Sequence, residues 1–76
     1  MLDAVQVRMA RAGLGLSVRE LAERSGVADS TILRFETGRG AILTTNMARI
    51  QKALEEAGVL FLPADLTGGP GVRLRA

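Results

Sequence analysis

The residues best suited to specific chemistry stand close together in one short stretch. Ser30, Thr31 and Arg34 carry hydrogen-bonding groups, Asp29 directly precedes them, and Arg39 follows between two glycines. The guanidinium of arginine presents its donors in a planar fork that matches guanine edges and phosphate oxygens. This set therefore predicts recognition of a polar or anionic partner through hydrogen bonds.

Bond-breaking chemistry has little support in this sequence. The chain has no cysteine and no histidine, which removes thiolate nucleophiles, the usual general base and the commonest metal ligands. Glu55 and Glu56 fit an exposed helix face better than a catalytic acid pair, and the glycines of residues 68–71 fit a turn rather than a phosphate loop. We therefore expect no enzymatic activity, no metal and no cofactor.

The length and composition of the chain narrow the possible class of protein further. The chain has 76 residues, which predicts one small domain, and its formal net charge is +2. This charge permits binding to a polyanion without proving it, and the near absence of aromatic residues argues against a stacking platform for single strands. No segment reads as a leader peptide or as a membrane span. We expect a protein of the prokaryotic cytosol, encoded by a cell or a phage, with no membrane partner.

Four helices are predicted ahead of a different kind of tail. They cover approximately residues 2–13, 17–25, 29–37 and from 44 or 45 to 57, with Thr44 or Thr45 as the last helix's N-cap. Ser17 and Glu20 form a capping box, and Gly26 ends the second helix. In the first helix, helical spacing predicts one apolar stripe that faces the core, which we call the inner stripe: Leu2, Val5, Met9 and Ala12.

The tail reads as two β-strands, residues 59–62 and 72–75, joined by a glycine-rich loop. Its apolar side chains either cap the monomer core or form a dimer sheet: Val59, Phe61, Val72 and Leu74. Because so small a core gains from a partner, we favour dimerisation through the tail and the fourth helix. Arg73 and Arg75 either reach flanking phosphate or keep an edge strand soluble. We thus predict a helical unit at 1–58 and a β-tail at 59–76.

Two short helices joined by a tight turn at Gly26 are the pattern of a helix-turn-helix, whose second helix lies in the major groove. Several short motifs, together with the spacing between them, resemble those of the Xre/Cro family: Leu16-Ser17, Glu20-Leu21-Ala22, Ser25-Gly26-Val27, Ser30-Thr31-Ile32, Glu36 and Gly38. The resemblance covers about residues 7–58. It implies a mainly α, four-helix, lambda-repressor-like bundle, here with a two-stranded β extension in place of the family's fifth helix. It also implies binding to double-stranded operator DNA, usually as a dimer on a palindrome.

The resemblance implies a role for each matching position. Ser17, Val18, Thr37 and Arg39 would contact phosphate; Asp29, Ser30 and Arg34 would contact bases; Thr31 and Leu33 would contact bases or backbone. Arg11 and Glu36 would form an internal ion pair between the first and third helices. Val18 departs from the glutamine that is frequent in the family, so a polar contact is lost there.

Most of these side chains also have a plain structural interpretation. Arg34 and Arg39 are solvated surface arginines in that interpretation, and Ser30 and Thr31 serve the first turn of their helix. Asp29 either accepts from a cytosine amine or complements the helix dipole, and Leu33 either meets a thymine methyl group or is partly buried.

The predicted function is sequence-specific DNA binding by a transcriptional regulator, with repression as a homodimer on a palindromic operator as the family default. The alternatives are the antitoxin of a toxin–antitoxin pair and a protein-interaction module that has lost DNA binding. Val18 and Asp29 favour the latter.

Overall fold

The computed structural model describes residues 2–75 and consists of four helices followed by a β-hairpin. The elements are α1 (Ala4–Leu14), α2 (Val18–Ser25), α3 (Asp29–Glu36), α4 (Thr44–Glu56), β1 (Val59–Leu62) and β2 (Gly71–Leu74). The strands pair antiparallel, with Val59 opposite Leu74 and Phe61 opposite Val72. The mainly helical fold class with a two-stranded extension is confirmed.

Local capping explains where the first two helices begin and end. The backbone N–H of Ser17 donates to Glu20 Oε1 at 2.9 Å, and Ser17 Oγ accepts from the Glu20 N–H at 3.0 Å, which confirms the capping box. Gly15 and Gly26 adopt φ of 69° and 73° as C-caps, a left-handed conformation that glycine reaches without steric cost.

The predicted threonine cap of α4 is wrong. Leu43 is the N-cap: its backbone is extended, and its carbonyl accepts from the Met47 N–H at 2.9 Å. Thr44 is therefore already the first helical residue, and no side chain caps this helix.

One core collects side chains from every element. The fully buried large members are Leu21, Ile32, Ile50, Leu54, Val7 and Val59. Phe35 of α3 and Phe61 of the hairpin pack partly buried against them. Helical spacing predicts further inward-facing positions in the other three helices, and these agree with this arrangement: Leu21 and Ala22 in α2, Ile32 and Phe35 in α3, and Met47, Ile50, Ala53 and Leu54 in α4.

The predicted inner stripe of α1 is wrong. Val7 and Ala10 are buried at 0% exposure, whereas Val5 is 40% and Met9 38% exposed, and Ala12 is exposed as well. Leu2 is buried but precedes the helix. α1 carries two apolar stripes, and tertiary packing selects the one that spacing alone did not favour.

Gln6 joins the beginning of α1 to the end of the hairpin. Its Oε1 accepts from the Asp3 N–H at 3.0 Å, and its Nε2 donates to the carbonyls of Leu62 at 3.2 Å and Gly71 at 3.1 Å. The residue is 4% exposed, so these bonds satisfy a buried amide. The tail is thereby fixed to the bundle rather than free of it.

Among the helices of residues 2–75, none has the length and apolar character needed to cross a membrane.

Candidate nucleic-acid interface

The solvent-facing side of α3 forms the centre of the candidate site. Ile32 and Glu36 point into the protein, and these buried positions fix the rotation of the helix about its axis. The exposed positions then fall on one stripe: Asp29, Ser30, Leu33, Arg34 and Thr37. Leu33 is 52% exposed, so it is neither a core residue nor fully solvated.

Three shallow, adjoining clefts surround this stripe. The first, of about 500 Å³, lies between the beginnings of α2 and α3 and is lined by Ser17, Val18, Arg19, Asp29, Ser30 and Leu33. The second, of about 580 Å³, is lined by Ser30, Leu33, Arg34, Thr37 and Arg39. The third, of about 350 Å³, is lined by Thr31, Arg34, Ala41, Ile42, Leu43 and Asn46. The fold therefore brings all nine predicted contact residues onto one continuous surface.

The beginning of α2 presents backbone donors to this surface. The Ser17 N–H is occupied by Glu20, and the Glu20 N–H by Ser17 Oγ. Within residues 2–75, the N–H groups of Val18 and Arg19 have no such partner, as expected for the first turn of a helix. Val18 packs its side chain partly against the core, so its amide is the polar group that it presents to this surface.

Two arginines of the surface, Arg34 and Arg39, have their donors available. Among the described residues, Arg11 and Glu36 form the one ion pair whose charged nitrogen and oxygen atoms lie within 4.0 Å of each other. Within the same residues, neither Arg34 nor Arg39 donates a side-chain hydrogen bond to the protein. A Cβ on Gly40 would lie 3.8 Å from Arg34 Cδ and Nε, so the arginine stem rests beside this glycine. The guanidinium group is therefore positioned at the surface without being neutralised there.

The hydroxyl of Thr37 is already used within the helix end. Thr37 Oγ1 donates to the Leu33 carbonyl at 2.8 Å. It can still accept, but a phosphate oxygen needs a donor, so this hydroxyl would have to rotate to make the predicted contact.

A buried ion pair holds α3 against α1. Arg11 Nε and Nη2 donate to the two carboxylate oxygens of Glu36 at 3.0 Å and 2.8 Å, and Arg11 Nη1 donates to the Leu16 carbonyl at 3.0 Å. The hydrogen bond and the charge of Glu36 raise the pKa of Arg11 above its ordinary value, against the opposing effect of burial. The pair confirms the expectation for these two positions and sets the orientation of α3.

Sequence reasoning missed the contribution of residues 41–46 to the surface. Asn46, in the first turn of α4, lines the same cleft as Thr31 and Arg34. A side-chain amide following a glycine-bracketed loop was the available signal, but only the fold shows that it lies beside α3. Leu43 is 69% exposed at the same edge.

The four tail residues predicted at a dimer interface occupy different environments. Val59 is 0% exposed in the core of its own chain, so it caps the monomer and has no surface for a second chain. Phe61 and Val72 are partly buried against the same core. Leu74 remains 45% exposed.

Comparison with known proteins agrees with this geometry. The family model described as "Helix-turn-helix" matches residues 7–58, which include all four helices apart from the beginning of α1. The chain belongs to this helix-turn-helix family, of the Xre type. It is 36% identical over 72 residues to the "Putative HTH-type transcriptional regulatory protein" of Archaeoglobus fulgidus. That match covers 87% of this chain and 23% of the relative, so the chain spans about a quarter of the length of the relative.

Proposed function

We propose that this protein is a transcriptional regulator that reads a double-stranded DNA sequence with α3 and represses by occluding a promoter. The observation that carries the proposal is the exposed stripe of α3, where Arg34 has a free guanidinium beside short polar side chains. Serine and threonine allow the helix to approach the groove floor closely, and Arg34 then suits guanine O6 and N7.

The contacts divide into two classes. Asp29, Ser30 and Arg34 are proposed to contact base edges, with Thr31 and Leu33 at bases or backbone. The amides at the beginning of α2, the Ser17 hydroxyl, Thr37 and Arg39 are proposed to contact phosphate. Asn46 joins the surface from α4 and adds a donor and an acceptor beside Arg34.

The regulator is proposed to act as a homodimer on a palindromic operator, because one recognition helix of two turns reads only a few base pairs. Selection of binding sites from a random duplex library, followed by sequencing, tests the proposal. A two-fold symmetric motif is the expected result. An asymmetric half-site would contradict the homodimer, and the absence of any enrichment at low salt would contradict DNA reading.

Two other functions are distinguishable by further measurements. A DNA-binding surface that neutralises phosphates loses affinity steeply as salt rises. A protein-interaction module would bind no duplex specifically, and the exposed Leu33 and Leu43 are the observation in its favour. An antitoxin would bind DNA and also copurify with the toxin encoded beside it.

A further inference from the structure

A second apolar surface lies on α1, outside the clefts of the nucleic-acid interface. Val5, Met9 and Gly13 follow one another at helical spacing on its exposed side, with Val5 40% and Met9 38% exposed. Leu74 of β2 extends this stripe, because a Cβ on Gly13 would lie 3.5 Å from one of its methyl carbons. Val5, Met9, Gly13 and Leu74 constitute what we call the outer stripe.

The outer stripe is more than scattered surface hydrophobicity. Single exposed apolar residues are normal, but here they adjoin one another across two elements, with Ala12 beside them. Contiguous exposed apolar residues with a polar rim, here supplied by Arg8, are typical of an interaction surface. The buried side of α1 is already occupied by the core, whereas the outer stripe is left exposed among residues 2–75.

The two ends of the stripe carry charges of opposite sign, and Arg8 lies on its flank. Asp3 lies at the Val5 end, whereas Arg73 and Arg75 flank Leu74 at the Gly13 end. A two-fold axis at Met9 would place Val5 of one copy over Gly13 of the other and bring Asp3 toward the arginines of the second β2. An isologous interface requires this kind of self-complementarity.

We propose that the outer stripe is the homodimer interface, with two copies of α1 packed antiparallel and Leu74 at the edge of the contact. This arrangement replaces the inner face of the hairpin, which the monomer core already uses through Val59. A standard interface buries about 800 Å² per partner, roughly a sixth of the 4863 Å² of this chain. The outer stripe is one side of an 11-residue helix with the end of a four-residue strand, so its contact is smaller than a standard interface, and we expect weak association with dissociation constants in the micromolar range.

Sedimentation velocity of the 76-residue chain without DNA, from about 1 μM to about 1 mM, tests the dimer directly. The expected result is a concentration-dependent change from monomer to dimer, with Met9→Asp weakening association at least about tenfold. Leu66→Asp is the matched control, because Leu66 is 106% exposed on the hairpin turn, outside the outer stripe, and it should leave association unchanged.

A second variant tests the packing without introducing a charge. In Gly13→Ala the new methyl group meets Leu74 at ordinary van der Waals distance and the backbone is helical, so the fold accepts it. The same methyl group would obstruct Val5 of the second copy, and we expect dimerisation to weaken several-fold while the thermal midpoint of the monomer is kept or rises.

The proposal is overturned if the chain is monomeric throughout, if Met9→Asp and Gly13→Ala leave the dimer intact, or if Leu66→Asp weakens it equally. Failure of the dimer is distinguishable from failure of the proposed function. The Met9→Asp monomer keeps the whole nucleic-acid interface and should still bind a single half-site at low salt.

Discussion

Arg34 combines a supported stem with a free guanidinium, and this combination makes it the best candidate for base readout. We predict that Arg34→Ala abolishes the preference at one base pair of the operator and costs about 1–3 kcal/mol on that sequence. Arg34→Lys is the matched control: it keeps the charge and loses the fork, so it should lose discrimination yet keep the salt dependence. An unchanged sequence motif in either variant's site selection would remove Arg34 from the readout.

Arg39 differs from Arg34 because it follows α3 in the loop between Gly38 and Gly40, and we propose that it contacts a phosphate rather than a base edge. Arg39→Ala should weaken binding to all duplexes alike and reduce the slope of log affinity against log salt by about 1. Affinity titrations at several salt concentrations, on an operator and on a random duplex, measure this. A loss confined to one base pair would show that Arg39 reads sequence.

At the scale of elements, the capping box of α2 predicts a pH effect. The backbone N–H of Ser17, and then its hydroxyl, lower the pKa of Glu20 below its ordinary range. A depressed pKa in the folded state means stability that is present above the unfolded pKa of about 4.3 and is lost as the pH falls through the folded value. Glu20→Gln keeps the hydrogen bonds without the titration, so its unfolding free energy should decline less steeply than that of the parent between about pH 5 and pH 3. Urea unfolding at several pH values measures this decline, and an equal decline in Glu20→Gln and in the parent would contradict the assignment.

The contact between α1 and α3 depends on the charged pair inside it. Glu36 has 2% of its side chain exposed and Arg11 24%, so Arg11→Met leaves a buried carboxylate without its partner. We expect a loss of about 3–5 kcal/mol in unfolding free energy, most of what a domain of this size has. Replacing both residues, as Arg11→Met with Glu36→Leu, should recover the larger part of it. Equal losses in the single and double variants, measured by urea unfolding, would show that the charge is not the cause.

Local signals in the sequence were sufficient for the elements and for the inner faces of α2, α3 and α4, but not for the inner face of α1. The Ser17–Glu20 box and the turn at Gly26 depend on a few adjacent residues, so both were predictable. The rotation of α1 was not, because Val5 and Met9 recur as regularly as Val7 and Ala10, and a polar residue, Gln6, belongs to the buried side.

The same limit applies to the candidate site. The residues of α3 form one stripe within one helix, and their shared surface followed from helical spacing. Asn46 comes from a later segment, and its position beside Arg34 depends on how the loop at 41–43 returns to the bundle. No local pattern contains that information.

At the scale of the whole molecule, the hairpin belongs to the same core as the helices. β1 packs on α4, β2 packs on α1, and Gln6 binds carbonyls of both strands. An isolated two-stranded hairpin is marginally stable in water, so this attachment explains why the tail is ordered. A substitution on the inner face of the hairpin should therefore also destabilise the helical bundle.

Val59 and Leu60 are adjacent residues on opposite faces of β1. They allow the coupling between the hairpin and the helical bundle to be tested within one strand. Val59 is 0% exposed and Leu60 40% exposed. Val59→Ala removes two methyl groups from the common core and should lower the unfolding free energy by about 2 kcal/mol, with one cooperative transition for helices and hairpin together. Leu60→Ala removes more atoms but should cost under about 1 kcal/mol, since they leave a surface that water already reaches. If Val59→Ala left the helical transition unchanged, the hairpin would be an independent appendage, and the dimer could then use its inner face after all.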